Sequence, residues 1–204
     1  MFAPAELLWA FIGLILTIGS TWLEAFVLKL PLSDWLAGNS GNIETNSLGV
    51  TFQFAAALFT GCMGGKNAGV ISQIAYVALG ILLFERFGLE VFAEGAGMGY
   101  LREPSFGYLL GFIPAGWICG WLAVRKKQPS SLERLGFASL VGLCMVHLCG
   151  LSYLVLGHLF RWLPATPSLG RAILDYSIVP IPGQIMVSCA IALIAFGLRK
   201  ALFY

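Results

Sequence analysis

Apolar residues run along this chain in long stretches, and polar residues gather in a few short breaks between them. Such stretches match the roughly 20 residues that an α-helix needs to cross about 30 Å of hydrocarbon. Read by their flanking breaks and charges, they fall at about residues 5–28, 48–65, 67–86, 106–124, 135–160 and 183–203. A backbone in lipid must satisfy its own hydrogen bonds, and no alternating ten-residue barrel pattern is present, so all six are predicted as helices. The expectation is an all-α fold: an integral membrane bundle of six transmembrane helices, built as a single domain over residues 1–204 with no linker long enough to divide it. The first span carries Glu6 near its start and Glu24 near its end and lacks the cleavage pattern of a signal peptide, so it is expected to be retained.

Composition agrees with this reading. Hydrophobic residues make up 58% of the chain and charged residues 11%, and the mean hydropathy of +0.85 lies well outside the range of soluble domains. The few cations set the orientation. Lys66, Arg125, Lys126, Lys127, Arg134, Arg199 and Lys200 fall on one side of the six spans, and Lys29, Arg86, Arg102, Arg161 and Arg171 on the other. The densest cluster sits in a short loop, where the positive-inside rule is most reliable, so both termini are expected in the cytoplasm of a multi-pass protein of the plasma (inner) membrane.

Several function classes drop out. The run Gly61–Asn67, "GCMGGKN", resembles a phosphate loop, but its spacing is one residue short, and Asn67 stands where Ser or Thr would hold magnesium. No GxSxG or HExxH motif is present, and no Asp or Glu lies deep inside a span, where a proton-coupled carrier would need one. The five cysteines form no CxxC pair and read as small apolar filler. Cys144 and His147 share a helical face but Cys149 turns away, so no metal site is expected. Nothing implies a nucleic-acid partner; the lipid bilayer is the one partner that composition itself requires.

Polar, irregular sequence concentrates on the outer side. The segments 30–47 and Pro164–Pro182 read as external excursions, whereas "GGKNAG" reads as a tight turn. A third outer stretch, Val91–Gly116, holds six glycines, three charges and two tyrosines. On the first span Gly13, Thr17, Thr21 and Ala25 recur every four residues as a smooth strip, suited to packing against a neighbour in the same chain or in another protein.

Four blocks carry a family likeness: "VTFQ" at Val50–Gln53, "YVALG" at Tyr76–Gly80, "VFAEGAGMGYLREPSFGYLLGF" at Val91–Phe112 and "PIPG" at Pro180–Gly183. Their order resembles the biotin-specific substrate-binding subunits of energy-coupling-factor transporters, the BioY family. The resemblance implies a membrane-embedded substrate-binding domain, not an enzyme, that takes up biotin as its transported ligand and needs no cofactor. It further implies a shared transmembrane coupling protein and ATP-binding subunits as partners, with the strip of Gly13, Thr17, Thr21 and Ala25 facing the coupling protein. In the family the last helix opens with a proline–glycine–aspartate pattern followed by a lysine, where this chain has Gln184 and Val187. A stand-alone carrier or channel for another vitamin-like ligand is the alternative; dependence on an ATPase separates the two.

Biotin has a flat ureido ring, an apolar thioether and chain, and a carboxylate, so its site needs an aromatic wall, a few fixed amides and one positive charge. The outer half of the expected bundle supplies Tyr76, Phe92, Tyr100 and Tyr108 as walls, Gln53 and Gln184 as amides, and Arg102 as cation. Gly95, Gly97 and Gly99 would let the backbone approach the ligand. Each position also has a plainer role: interfacial belt for Tyr100 and Tyr108, core for Tyr76 and Phe92, a surface pair with Glu103 for Arg102, and a helix cap for Gln184. Gln53 resists such a role, because an amide inside a span needs a partner.

Overall fold

The computed structural model describes residues 3–29, 44–88, 91–92, 97–124, 131–164 and 166–203. Its body is helical. In chain order it comprises α1 (Pro4–Gly19), the strands β1 (Glu24–Lys29) and β2 (Glu44–Thr51), α2 (Gln53–Phe87), a 3-10 turn (Met98–Arg102), α3 (Phe106–Ala123), α4 (Leu132–Leu159), α5 (Leu169–Ile173), which runs on as a π turn (Leu174–Ile178), and α6 (Ile181–Phe203). Among the described residues four helical stretches are long and apolar enough to cross a membrane: Gln53–Leu83, Phe106–Ala123, Leu132–Leu159 and Leu169–Leu202.

The first predicted span is cut short. α1 opens with Pro4 in its first turn, and the Glu6 carboxylate accepts the Ala3 N–H at 3.0 Å, an N-terminal cap that favours the helix start. Its end is set by hydroxyls: Ser20 Oγ and Thr21 Oγ1 both donate to the Thr17 carbonyl at 3.1 Å, taking an acceptor that a continuing helix would use. Residues 24–29 then leave the helix as β1 and pair antiparallel with β2, Phe26 opposite Ser47 and Lys29 opposite Glu44. The expected helices at 5–28 and 48–65 are corrected accordingly, since both give up their outer ends to this ribbon. Ala25 lies in β1 and so cannot continue a helical strip.

Within α2 the backbone breaks at Gly65, whose φ of 81° and ψ of −176° suit only glycine. The break reverses the chain. Gln53 Nε2 lies 2.8 Å from the Tyr76 hydroxyl, whereas 23 residues of continuous helix would part them by about 35 Å. The stretches 53–64 and 66–87 therefore lie side by side, with the turn where "GGKNAG" predicted it. The carbonyl of Cys62, three residues before the break, accepts from Arg199 Nη1 of α6 at 2.7 Å.

α3 packs into this hairpin through glycine. The carbonyl of Gly116 lies against both Gly61 and Gly69, and a Cβ on Gly120 would collide with the backbone of Gly65 and Lys66. On the other flank of α3, Gly111 sits against the Val146 backbone of α4, and Gly150 of α4 receives the face of the Tyr108 ring. In lipid, where apolar burial between helices gains little, such close backbone approach supplies much of the packing.

The strip on α1 faces this same hairpin. A Cβ on Gly13 would strike Thr60, Thr17 is fully buried, and Thr21 is 1% exposed. Gln73 Nε2 donates to Thr17 Oγ1 at 3.0 Å and Gln53 Nε2 to Thr21 Oγ1 at 2.9 Å. Of the two neighbours expected for the strip, the same chain or a partner protein, Gly13, Thr17 and Thr21 meet the first: hydroxyls in an apolar bundle turn to amides of the same chain. The face of α1 that remains open carries Leu7, Leu8, Phe11 and Ile15.

Gly120→Leu tests the packing. Because backbone rather than a flexible side chain blocks the space, the substitution should cost about 1–3 kcal/mol or more, read as a lowered melting temperature of the detergent-purified protein. Gly136→Leu, where nothing lies within 4 Å, should leave the midpoint unchanged.

Candidate functional site

The helix ends remote from Gly65 enclose a cavity of about 330 Å³. Thr51 and Gln53 reach it from the β2–α2 junction, Tyr100 from the 3-10 turn, Ser105 and Tyr108 from the start of α3, Asp175 and Tyr176 from the π turn, and Gln184 from the first turn of α6. Phe54, Leu109, Phe112, Val146 and Pro180 complete the lining. The wall is thus aromatic and apolar with a few polar groups, the usual make-up of a small-molecule site.

Gln53 is held by a determinate set of bonds. The Thr21 and Tyr76 hydroxyls lie 3.2 Å from each other, and the Thr17 and Val91 carbonyls accept from them at 3.1 and 3.3 Å, so each hydroxyl proton has an acceptor other than Gln53. The amide must therefore turn its NH2 group to them, at 2.9 and 2.8 Å. Its carbonyl oxygen has no partner among the described residues. Gln53 brings an acceptor to the cavity.

A second set of bonds lies across the cavity. Tyr108 Oη is 2.6 Å from Ser177 Oγ, Ser177 Oγ is 3.1 Å from His147 Nδ1, and His147 Nε2 is 2.7 Å from Gln184 Oε1. Tyr108, Ser177 and His147 are all buried, and the Tyr108 ring meets the imidazole edge-on at a centroid distance of 5.9 Å. Gln184 faces the cavity with its NH2 group, since its oxygen is on the imidazole.

Four of the residues singled out from sequence meet at this cavity: Gln53, Tyr100, Tyr108 and Gln184. Tyr76 and Phe92 stand one layer behind. Phe92 packs edge-on to Tyr76 at 5.4 Å and tilted against Tyr100 at 4.7 Å, and its ring fills the space over Gly80. Gly97, Gly99 and Arg102 do not belong to this lining. Gly97 takes a φ of 75° at the start of the 3-10 turn and donates its N–H to the Gly80 carbonyl, so it shapes the turn instead of lining the cavity. Gly99 is exposed with open space around it, and Arg102 is exposed and absent from the lining, because a turn that points Tyr100 inward points its neighbours out. Gly95 lies outside the described residues. The charged residue of the lining is Asp175, which Arg171 meets at 2.8 Å on the surface.

Sequence reasoning missed His147, Ser177 and Tyr176. For His147 a signal existed: an imidazole in the middle of an apolar 28-residue helix needs a partner just as Gln53 does. Ser177 and Tyr176 belong to a proline-flanked segment whose fold no local pattern specifies.

Comparison with known proteins assigns the chain. It is 29% identical over 196 residues to an uncharacterized 21.2 kDa protein of Cyanophora paradoxa, covering 96% of this chain and 95% of the relative. It is 30% identical over 150 residues to a probable biotin transporter BioY of Lysinibacillus sphaericus, covering 74% and 73%. Its fold matches the crystal structure of an S-component for biotin from an ECF-type ABC transporter with a TM-score of 0.62 at 20% identity, covering 96% of this chain and 90% of that one. The BioY family model matches residues 35–203, most of the chain, and the protein belongs to the BioY family.

Proposed function

We propose that this protein is the substrate-binding membrane subunit of a biotin uptake system, and that the cavity between Gln53 and Gln184 is its biotin site. The observation that carries the reading is the match of polarity. A cyclic urea has two N–H donors and one carbonyl acceptor; the cavity opposes to them the carbonyl oxygen of Gln53 and the NH2 group of Gln184. Phe54, Phe112 and Val146 offer an apolar bed for the thioether ring and chain. The carboxylate would lie at the rim, where Arg171 stands beside Asp175.

Six crossings fit this reading: α1, the two halves of α2, α3, α4 and α6. The chain lacks a phosphate loop, so ATP-binding subunits and a coupling protein would supply the energy, in keeping with a structural relative that is the S-component of an ECF-type ABC transporter. By the positive-inside rule the cations at 66, 134 and 199–200 would mark the cytoplasmic end, and the cavity would open outward.

Two measurements test this. Purified protein should bind biotin in calorimetric titration. Gln53→Ala should weaken binding by about ten- to a hundredfold, the loss of a buried hydrogen bond of roughly 1–3 kcal/mol, whereas Arg102→Ala should change it by less than about fivefold. Absence of biotin binding by the folded wild type would refute the assignment. For orientation, single cysteines at the exposed positions Lys66 and Glu103, in a background without the native cysteines, should react with an impermeant thiol reagent from the cytoplasmic and the outer side respectively. The reverse pattern would place the cavity on the cytoplasmic face.

A further inference from the structure

The bonds joining Tyr108, Ser177, His147 and Gln184 have a direction. Gln184 Oε1 can only accept, so His147 Nε2, 2.7 Å away, carries a proton. In the neutral imidazole Nδ1 is then an acceptor, and the proton between it and Ser177 Oγ at 3.1 Å comes from the serine. Ser177, its proton committed, accepts from the Tyr108 phenol at 2.6 Å. Each step fixes the next. Facing the cavity are the NH2 group of Gln184 and the lone pairs of Tyr108, whose proton points at Ser177.

We infer that His147 is a positioning residue for ligand recognition: by carrying its proton on Nε2 it holds Gln184 as a donor and Tyr108 as an acceptor, and so makes the cavity select a ring with a carbonyl. Without this lock the amide of Gln184 is free to rotate by 180° about its last bond, presenting an acceptor where the ligand's carbonyl oxygen must sit. Gln53 is not subject to the same change, since the protons of its partners, Thr21 and Tyr76, have acceptors in the Thr17 and Val91 carbonyls and in each other. The polarity of the cavity is thus set on one side by α1 and α2 and on the other by a single imidazole of α4. The inference rests on the biotin reading.

The probe is 2-iminobiotin, whose protonated ring has N–H donors where biotin has its carbonyl. Wild-type protein should prefer biotin by two or more orders of magnitude, as expected of a site built around a hydrogen bond that the analogue cannot make. In His147→Leu, biotin affinity should fall about ten- to a hundredfold and the preference should shrink by at least about tenfold, while His147→Gln, which can still donate to Gln184, should retain most of the preference. A merely structural role would weaken both ligands by the same factor, and an unchanged ratio in His147→Leu overturns the inference. Should that variant fail to fold, Gln184→Glu decides: it keeps an oxygen on the imidazole and offers the cavity no donor, so it should favour 2-iminobiotin, and a retained preference for biotin refutes the assignment. Nitrogen-15 spectra of the ligand-free protein, with His158 replaced to leave one histidine, give a readout independent of biotin. The Nε2–H form supports the inference and the Nδ1–H form overturns it, even if the wild type binds neither ligand.

Discussion

The amide of Gln53 ties the structure to its site. Its NH2 group bridges Thr21, just past the end of α1, and Tyr76 on the returning half of α2, so one side chain ties the end of α1 to both halves of the hairpin where the cavity opens. A buried amide left unpaired in an apolar bundle is expensive, and this cost makes the register of the three segments specific. Tyr76 in turn places its hydroxyl on the Val91 carbonyl and its ring against Phe92, which packs on Tyr100 of the cavity wall. The wall is held from behind by the same residue that presents an acceptor in front.

That knot is possible only because the chain reverses within a few residues at Gly65 and because α3 lies close to the reversed pair. Glycines at 61, 69, 116 and 120 bring backbones into contact where any side chain would hold them apart. The close half of the bundle is built from small residues, and the open half from aromatics and amides. Below the cavity the polar ladder continues down α1 through Thr17 and Gln73 to Ser72, and Glu6 at the far end holds Asn67 at 2.8 Å. α1 is thereby bonded to the hairpin along its length, which is why its small-residue strip faces inward.

Among the described residues the cavity lining holds no buried charge, which follows from the same economy. Val187, one turn below Gln184, is buried among apolar neighbours, and the polar work of the first turn of α6 falls to a neutral amide backed by an imidazole. A neutral pair avoids the desolvation that an ionised group would incur at this depth. Charge is kept at the rim, where Arg171 and Asp175 remain exposed to solvent and to each other.

Local pattern was enough for much of this. Apolar runs of membrane length, the glycine break at "GGKNAG" and an amide stranded inside a span each express a rule that acts over one helix: lipid must not meet an unpaired polar group, and only glycine turns the chain so sharply. Hence the helical bundle, the hairpin and Gln53 were legible, and so were Tyr100 and Tyr108 through the block in which they occur, and Gln184 as an amide beside the "PIPG" block. The sequence could not say which residue of a helix meets which residue of another. The strip of Gly13, Thr17 and Thr21 looks the same whether it faces a partner or the chain's own amides, and Arg102 lies two residues from Tyr100 yet points away from the cavity. His147, Ser177 and Gln184 are separated by 30 and 37 residues from histidine to serine and from histidine to glutamine. Only the packing of α4 against the π turn and α6 brings their atoms within hydrogen-bond reach, because a bond of 3 Å is decided by distance in space and leaves no periodic trace along the chain.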